Sequence, residues 1–277
     1  MKLIAHPVVI FTTIVALRSY TQAFSPDLSI LKVNGVHENG EQIRGPGEWH
    51  DPTVHDRVWP IARAELSCLV EALQNYYSTE PEWAPQKRLL DYYYGINHDS
   101  DTIYPEVVAQ IQSLYSAQLR FIGDNVSPSA SQRATIAQIS RIKQNGRKIK
   151  GVNLFAAFYT GSSVDDMRRV NALIHEGTHY VFKSNDYWII KRPRRDANGV
   201  RGRDQYYECT PLSKDEFRSL EERRARDIYC AYWSRRCEEG MRKLMAKCYP
   251  FARLATADIT VAAAHHCYTG RELTLDR

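Results

Sequence analysis

The chain has 277 residues, of which 43% are hydrophobic and 25% charged, and a formal net charge of +5. That is an ordinary globular composition, long enough to bury a core as one large domain or two small ones. So small a charge makes no case for a nucleic-acid partner, and the chain shows no internal repeat or low-complexity tract.

The first 23 residues read as a leader. Lys2 supplies a positive start, Val8 to Leu17 is a short apolar run, and Thr21-Gln22-Ala23 offers small residues near a cleavage point. The run is too short to cross a bilayer comfortably, and no other stretch is apolar enough to do so. This layout predicts a secreted, extracellular protein with no membrane span once the leader is gone. Removing Lys2 and Arg18, and no acid, takes the net charge from +5 to +3.

Residues 24–56 are rich in Gly, Pro, Asn and His and show little periodicity, which predicts an irregular arm or a propeptide remnant. Helical spacing begins at Val58 and continues to Tyr77. Gln86 to Tyr94 forms a second, shorter helix candidate ending at Gly95, and Ile103 to Arg120 a third. Asn125-Val126-Ser127 is a glycosylation acceptor pattern, meaningful in a eukaryotic source. Ile149 to Tyr159 is expected to be a strand or a buried extended segment. Gly161-Ser162-Ser163 then turns the chain into a helix from about Val164 to Phe182, with Ser162 or Ser163 as its cap and Asp165 and Asp166 in its first turn.

That helix carries His175-Glu176-Gly177-Thr178-His179. Histidines four residues apart lie on one helix face, one turn apart, so both imidazoles can reach one metal ion. The Glu between them sits where it can take a proton from a polarised water. This pattern points to one Zn2+ per chain, which makes water a nucleophile near neutral pH, with Glu176 as general base and His175 and His179 as ligands. A third ligand has to come from elsewhere. Asn185 stands where one large group of such enzymes has its third histidine. Asp186, seven residues after His179, and Glu221 or Glu222 further on remain candidates.

Beyond the site, Lys191-Arg192-Pro193-Arg194-Arg195 is the densest basic segment, and the nearby Asn198-Gly199 marks it as a solvated, turn-forming loop. Ser213 to Lys247 is expected to form one long helix or two. The pair His265-His266 reads as packing or surface histidine. Five of the six cysteines lie at or beyond Cys209, with Cys68 far from them. An even count behind a leader suggests disulfides, although six cysteines admit 15 pairings. No paired C-x-x-C is present, so a structural zinc–thiolate site is not expected.

The segment Ala172 to His179 followed by Asn185-Asp186-Tyr187 resembles the aspzincin family of zinc metalloendopeptidases, which contains deuterolysin and the peptidyl-Lys metalloendopeptidases. Leu90 to Gly95, Ile149 to Tyr159 and Ala257-Asp258 with Ala262-Ala263 extend the likeness loosely over residues 60–265. The resemblance implies an α+β, mainly helical, zincin-like domain over residues 57–277, with a small sheet packed on the active-site helix. It implies zinc held by His175, His179 and Asp186, and Glu176 as the base. The family pattern after the second histidine is Gly-Thr-x-Asp-x-x-Tyr-Gly. Here Lys183-Ser184 replaces Gly-Thr, and Ile189 stands at the family tyrosine, which leaves Tyr187 as the candidate to bind the oxyanion. The expected function is therefore hydrolysis of a protein or peptide substrate. The alternative is a secreted binding protein, or a toxin or effector, on the same scaffold.

Overall fold

The computed structural model describes residues 24–27, 35–37, 42–43, 51–123, 136–144, 146–160, 164–184, 187–195, 201–211, 228–230 and 257–273. Side chains are described for most of these, but not for the strands at 35–43 or 187–230.

The first long helix, α1, spans Pro52–Gln74 and starts a turn and a half before its apolar periodicity is obvious in the sequence. Asp51 caps it by accepting a hydrogen bond from the Thr53 amide at 2.9 Å, and Pro52 fills the first helical position, where no amide donor is needed. Val54, Val58, Ala62, Leu66, Leu69 and Leu73 line its buried face. Helix α2, Ala84–Tyr94, stops at Gly95, whose φ of 68° is the left-handed conformation that glycine adopts without steric cost. Helix α3 covers Ser100–Tyr115 and is capped by Asp99. It ends five residues before the sequence pattern predicts. Gln118–Gly123 instead forms strand β4, in which Leu119, Phe121 and Ile122 are buried. Pairing with neighbouring strands outweighs helical periodicity there.

Three short strands precede α1: β1 (Ser25–Asp27), β2 (Gly35–His37) and β3 (Gln42–Ile43). The segment expected to be irregular therefore supplies strands to a sheet. After β4 come β5 (Ala137–Gln144) and β6 (Arg147–Leu154). Together they make a mixed six-stranded sheet in the order β1-β4-β6-β5-β2-β3, parallel across β1-β4-β6 and antiparallel elsewhere. The extended segment expected to run to Tyr159 ends at Leu154, and Ala156–Thr160 is a short helix, α4.

Helix α5, Asp166–Phe182, is capped by Asp165, whose carboxylate accepts from the Arg168 amide at 2.7 Å. The cap thus falls on an acid rather than on Ser162 or Ser163, which lie outside the described residues. Asp166 in the first turn is bound by Arg57 of α1 at 3.0 Å and by Arg169 at 2.9 Å. At the other end Lys150 of β6 donates to the carbonyls of His179 and Tyr180 at 2.7 and 2.9 Å. A cation is favourable at a helix C-terminus, so this lysine ties the helix to the sheet. Lys183 then takes a left-handed φ of 56°, a conformation that a glycine would adopt with less strain.

A second sheet has the order β8-β7-β9, formed by Tyr187–Arg195 (β7), Arg201–Pro211 (β8) and Ile228–Cys230 (β9). The basic segment Lys191–Arg195 is therefore strand, not loop. Pro193, which has no amide to donate, sits where the β7–β8 register shifts and beyond the reach of β9, so its missing donor interrupts no central ladder. Ile228–Cys230 likewise overturns the helical reading of that part of Ser213 to Lys247, and the rest of the stretch lies outside the described residues.

The final helix, α6 (Ala257–Thr269), is buried along Ala257–Ala264 and packs against α1, α2 and α5. A disulfide joins its Cys267 to Cys68 of α1. Beside it Glu65, wholly buried, accepts a hydrogen bond from His265 at 3.3 Å through one carboxylate oxygen. Its other oxygen has no hydrogen-bond partner among the described residues. The architecture is thus α+β and mostly helical, with a small mixed sheet.

Burial pushes the Glu65 carboxyl above its ordinary 4.5, against the opposing pull of the His265 hydrogen bond. A raised acid keeps its proton in the folded state after the unfolded chain has lost it. Stability from this source is therefore complete at low pH and falls as pH rises above 4.5. Glu65→Gln should accordingly unfold at higher urea than wild type at pH 7, and the difference should vanish at pH 4. Urea midpoints across that range test this, and equal midpoints at pH 7 would count against it.

Candidate metal centre

His175 and His179 project from one face of α5, and their imidazole Nε2 atoms stand 3.0 Å apart. Each ring is fixed from behind through Nδ1. The His175 Nδ1–H donates to the Asp258 carboxylate of α6 at 2.9 Å. The His179 Nδ1–H donates to the Ser184 carbonyl at 2.7 Å, with the Ser184 hydroxyl also 2.8 Å away. That hydroxyl is in turn 2.6 Å from the Thr178 hydroxyl, so Thr178 braces the turn that holds His179.

These contacts select one tautomer. With both Nδ1 atoms protonated toward oxygen acceptors, both Nε2 atoms present lone pairs to each other. Two lone pairs at 3.0 Å repel unless a proton or a cation lies between them. Zinc bonds of 2.0–2.1 Å in a tetrahedral site would place two such nitrogens about 3.3 Å apart. The pair is thus set for a metal ion with only a slight adjustment.

Glu176 lies beside them and is nearly buried, and the ligand atoms of His175, Glu176 and His179 all fall within 4.8 Å of one another. This group can hold a metal ion. Gly177 faces the opposite way. A Cβ there would meet Leu114 Cδ1 at 3.0 Å and Phe24 Cε2 at 3.1 Å, so glycine lets the helix lie close against α3 and the start of β1. The two outer faces of the motif thus have separate roles, one toward the ligand space and one toward the core.

Asp186, Glu221 and Glu222, the candidates for a third ligand, lie outside the described residues. Tyr187 is the first residue of β7, with its backbone opposite Pro211. His265 and His266 stand apart from the pair on α6, held by Glu65 and by the Tyr93 hydroxyl at 3.2 Å, as packing histidines would be.

Sequence reasoning gave Asp258 no role at the site. A signal was present nonetheless. Asp258 is the one charged residue in the buried run Ala257 to Ala264, and a buried carboxylate of that kind requires a partner. Comparison with protein-family models, curated proteins and solved structures finds no match.

Proposed function

We propose that this chain is a secreted zinc-dependent endopeptidase with a zincin-like, aspzincin-type site. The observation that carries the reading is the pair of Nε2 lone pairs aimed at one point from a helix that also carries Glu176. On this reading His175 and His179 hold zinc, Asp186 completes the protein ligands, and Tyr187 binds the oxyanion. When bound, zinc acidifies water and polarises the scissile carbonyl. Glu176 takes a proton from the attacking water and passes it to the leaving amine nitrogen. Asp258 keeps the His175 ring oriented and its Nε2 electron-rich, as carboxylates behind metal-bound histidines do.

The test is elemental analysis of the purified protein together with cleavage of an unstructured protein, before and after chelation. One zinc per chain and chelator-sensitive cleavage are expected. Zinc bound with no cleavage of any peptide library would favour the binding-protein reading, and absence of zinc would defeat the peptidase. Asp258→Ala should weaken zinc binding by about 10–100-fold, and Asp258→Asn, which can still accept the imidazole hydrogen, by less. Competition against a chromophoric chelator measures both variants, and an unchanged affinity for the alanine variant would remove Asp258 from the site.

A further inference from the structure

Phe24 directly follows the cleavage point that the leader pattern suggests, and it is wholly buried. Its ring packs edge-on against Trp59 at a centroid distance of 5.0 Å. It also lies against Gly177, at the centre of the segment that carries His175 and His179. Phe24 is therefore a core residue behind the metal helix.

Its backbone is equally specific. The Phe24 nitrogen donates to the carbonyl of Tyr115, the last residue of α3, and the Ser25 amide donates to Ala117 at 3.1 Å as β1 begins. Helix C-termini carry unsatisfied carbonyls and a partial negative charge. A positive group is favoured there. Phe24 also has a φ of 35°, in the left-handed region that a bulky aromatic residue rarely adopts. That torsion is defined by the peptide bond to Ala23. If the bond is absent, the torsion and its strain are absent too.

We propose that the functional chain begins at Phe24, as a built terminus whose ammonium caps the carbonyl end of α3 and whose ring backs the metal helix. The step is hydrolysis of the Ala23–Phe24 amide by a leader peptidase of the secretory route, with water as co-reactant. The C–N bond breaks, the hydroxyl goes to the Ala23 carboxyl, and the freed nitrogen becomes an ammonium. Phe24 is then a positioning residue, acting on the site through Gly177. The inference rests on the leader reading and is independent of peptide hydrolysis.

The full 277-residue chain, expressed with its leader in a secreting host, should yield protein whose N-terminal sequence starts at Phe24. A start at any other residue overturns the inference. A second chain with Gly-Ser inserted between Ala23 and Phe24 keeps the ring but moves the ammonium away and restores the strained torsion. Once mass spectrometry has verified that it starts at the inserted glycine, it should melt about 5 °C or more below wild type and hold zinc more weakly against a chelator. An unchanged melting temperature overturns the capping role. A protein that starts at Phe24 yet cuts no peptide leaves this inference standing and defeats only the peptidase reading. An active peptidase that starts elsewhere does the reverse.

Discussion

Glu176→Gln should reduce peptide hydrolysis by about 10²–10⁴-fold while the protein keeps its zinc. The substitution is nearly isosteric at a position that is almost buried, so packing is preserved. It leaves the His175–Asp258 and His179–Ser184 hydrogen bonds untouched, so the orientation of both imidazoles survives. What is lost is a group that can accept a proton from water and return it to the leaving nitrogen. The corresponding rise in the barrier is about 3–5 kcal/mol. Steady-state rates on a quenched-fluorescent peptide, normalised to zinc content, give the comparison. Cleavage at the wild-type rate by a zinc-loaded variant would sink the mechanism, whereas loss of both zinc and activity would move Glu176 from base to ligand.

The second large effect concerns the disulfide. Cys68 and Cys267 are separated by 199 residues, and they join α1 to the helix that carries Asp258. Closing a loop of that length restricts the unfolded chain by about 5 kcal/mol in the chain-entropy picture. Any bridge among Cys209, Cys230, Cys237 and Cys248 would lie inside the same loop and reduce the gain, so this figure is an upper bound. The double variant Cys68→Ser/Cys267→Ser should therefore melt below wild type, by up to about 10–20 °C. Its zinc affinity should fall as well, because the same bridge holds α6 in place. Differential scanning calorimetry and chelator competition on the one sample would show the two losses together. An unchanged melting temperature would mean that helix packing alone fixes α6.

The helices were legible where local signals agree. Gly95 stops α2 as its conformational freedom predicts, and the apolar periodicity of α5 places the histidine pair on a single helix. Long-range pairing was not legible. Leu119 to Ile122 continues the helical apolar spacing of α3, yet parallel neighbours on both sides draw it into the sheet. Lys191–Arg195 has the composition of a loop and becomes strand through its partner β8. At the site the same division holds. His175, Glu176 and His179 are neighbours in sequence, so their spacing alone brings them together. Asp258 is eighty-three residues from His175, and only the docking of α6 joins them.

That separation has a consequence for the order of assembly. The cap of α5 and the spacing that puts both histidines on one face are local to residues 165–182. Neither the carboxylate behind His175 nor the apolar centre that α1, α2 and α5 share exists until Ala257–Thr269 has been made and packed. Synthesis thus reaches the group that orients His175 only near its end. A chain truncated before Ala257 keeps the whole histidine motif but has neither its orienting carboxylate nor the helix at the middle of its core.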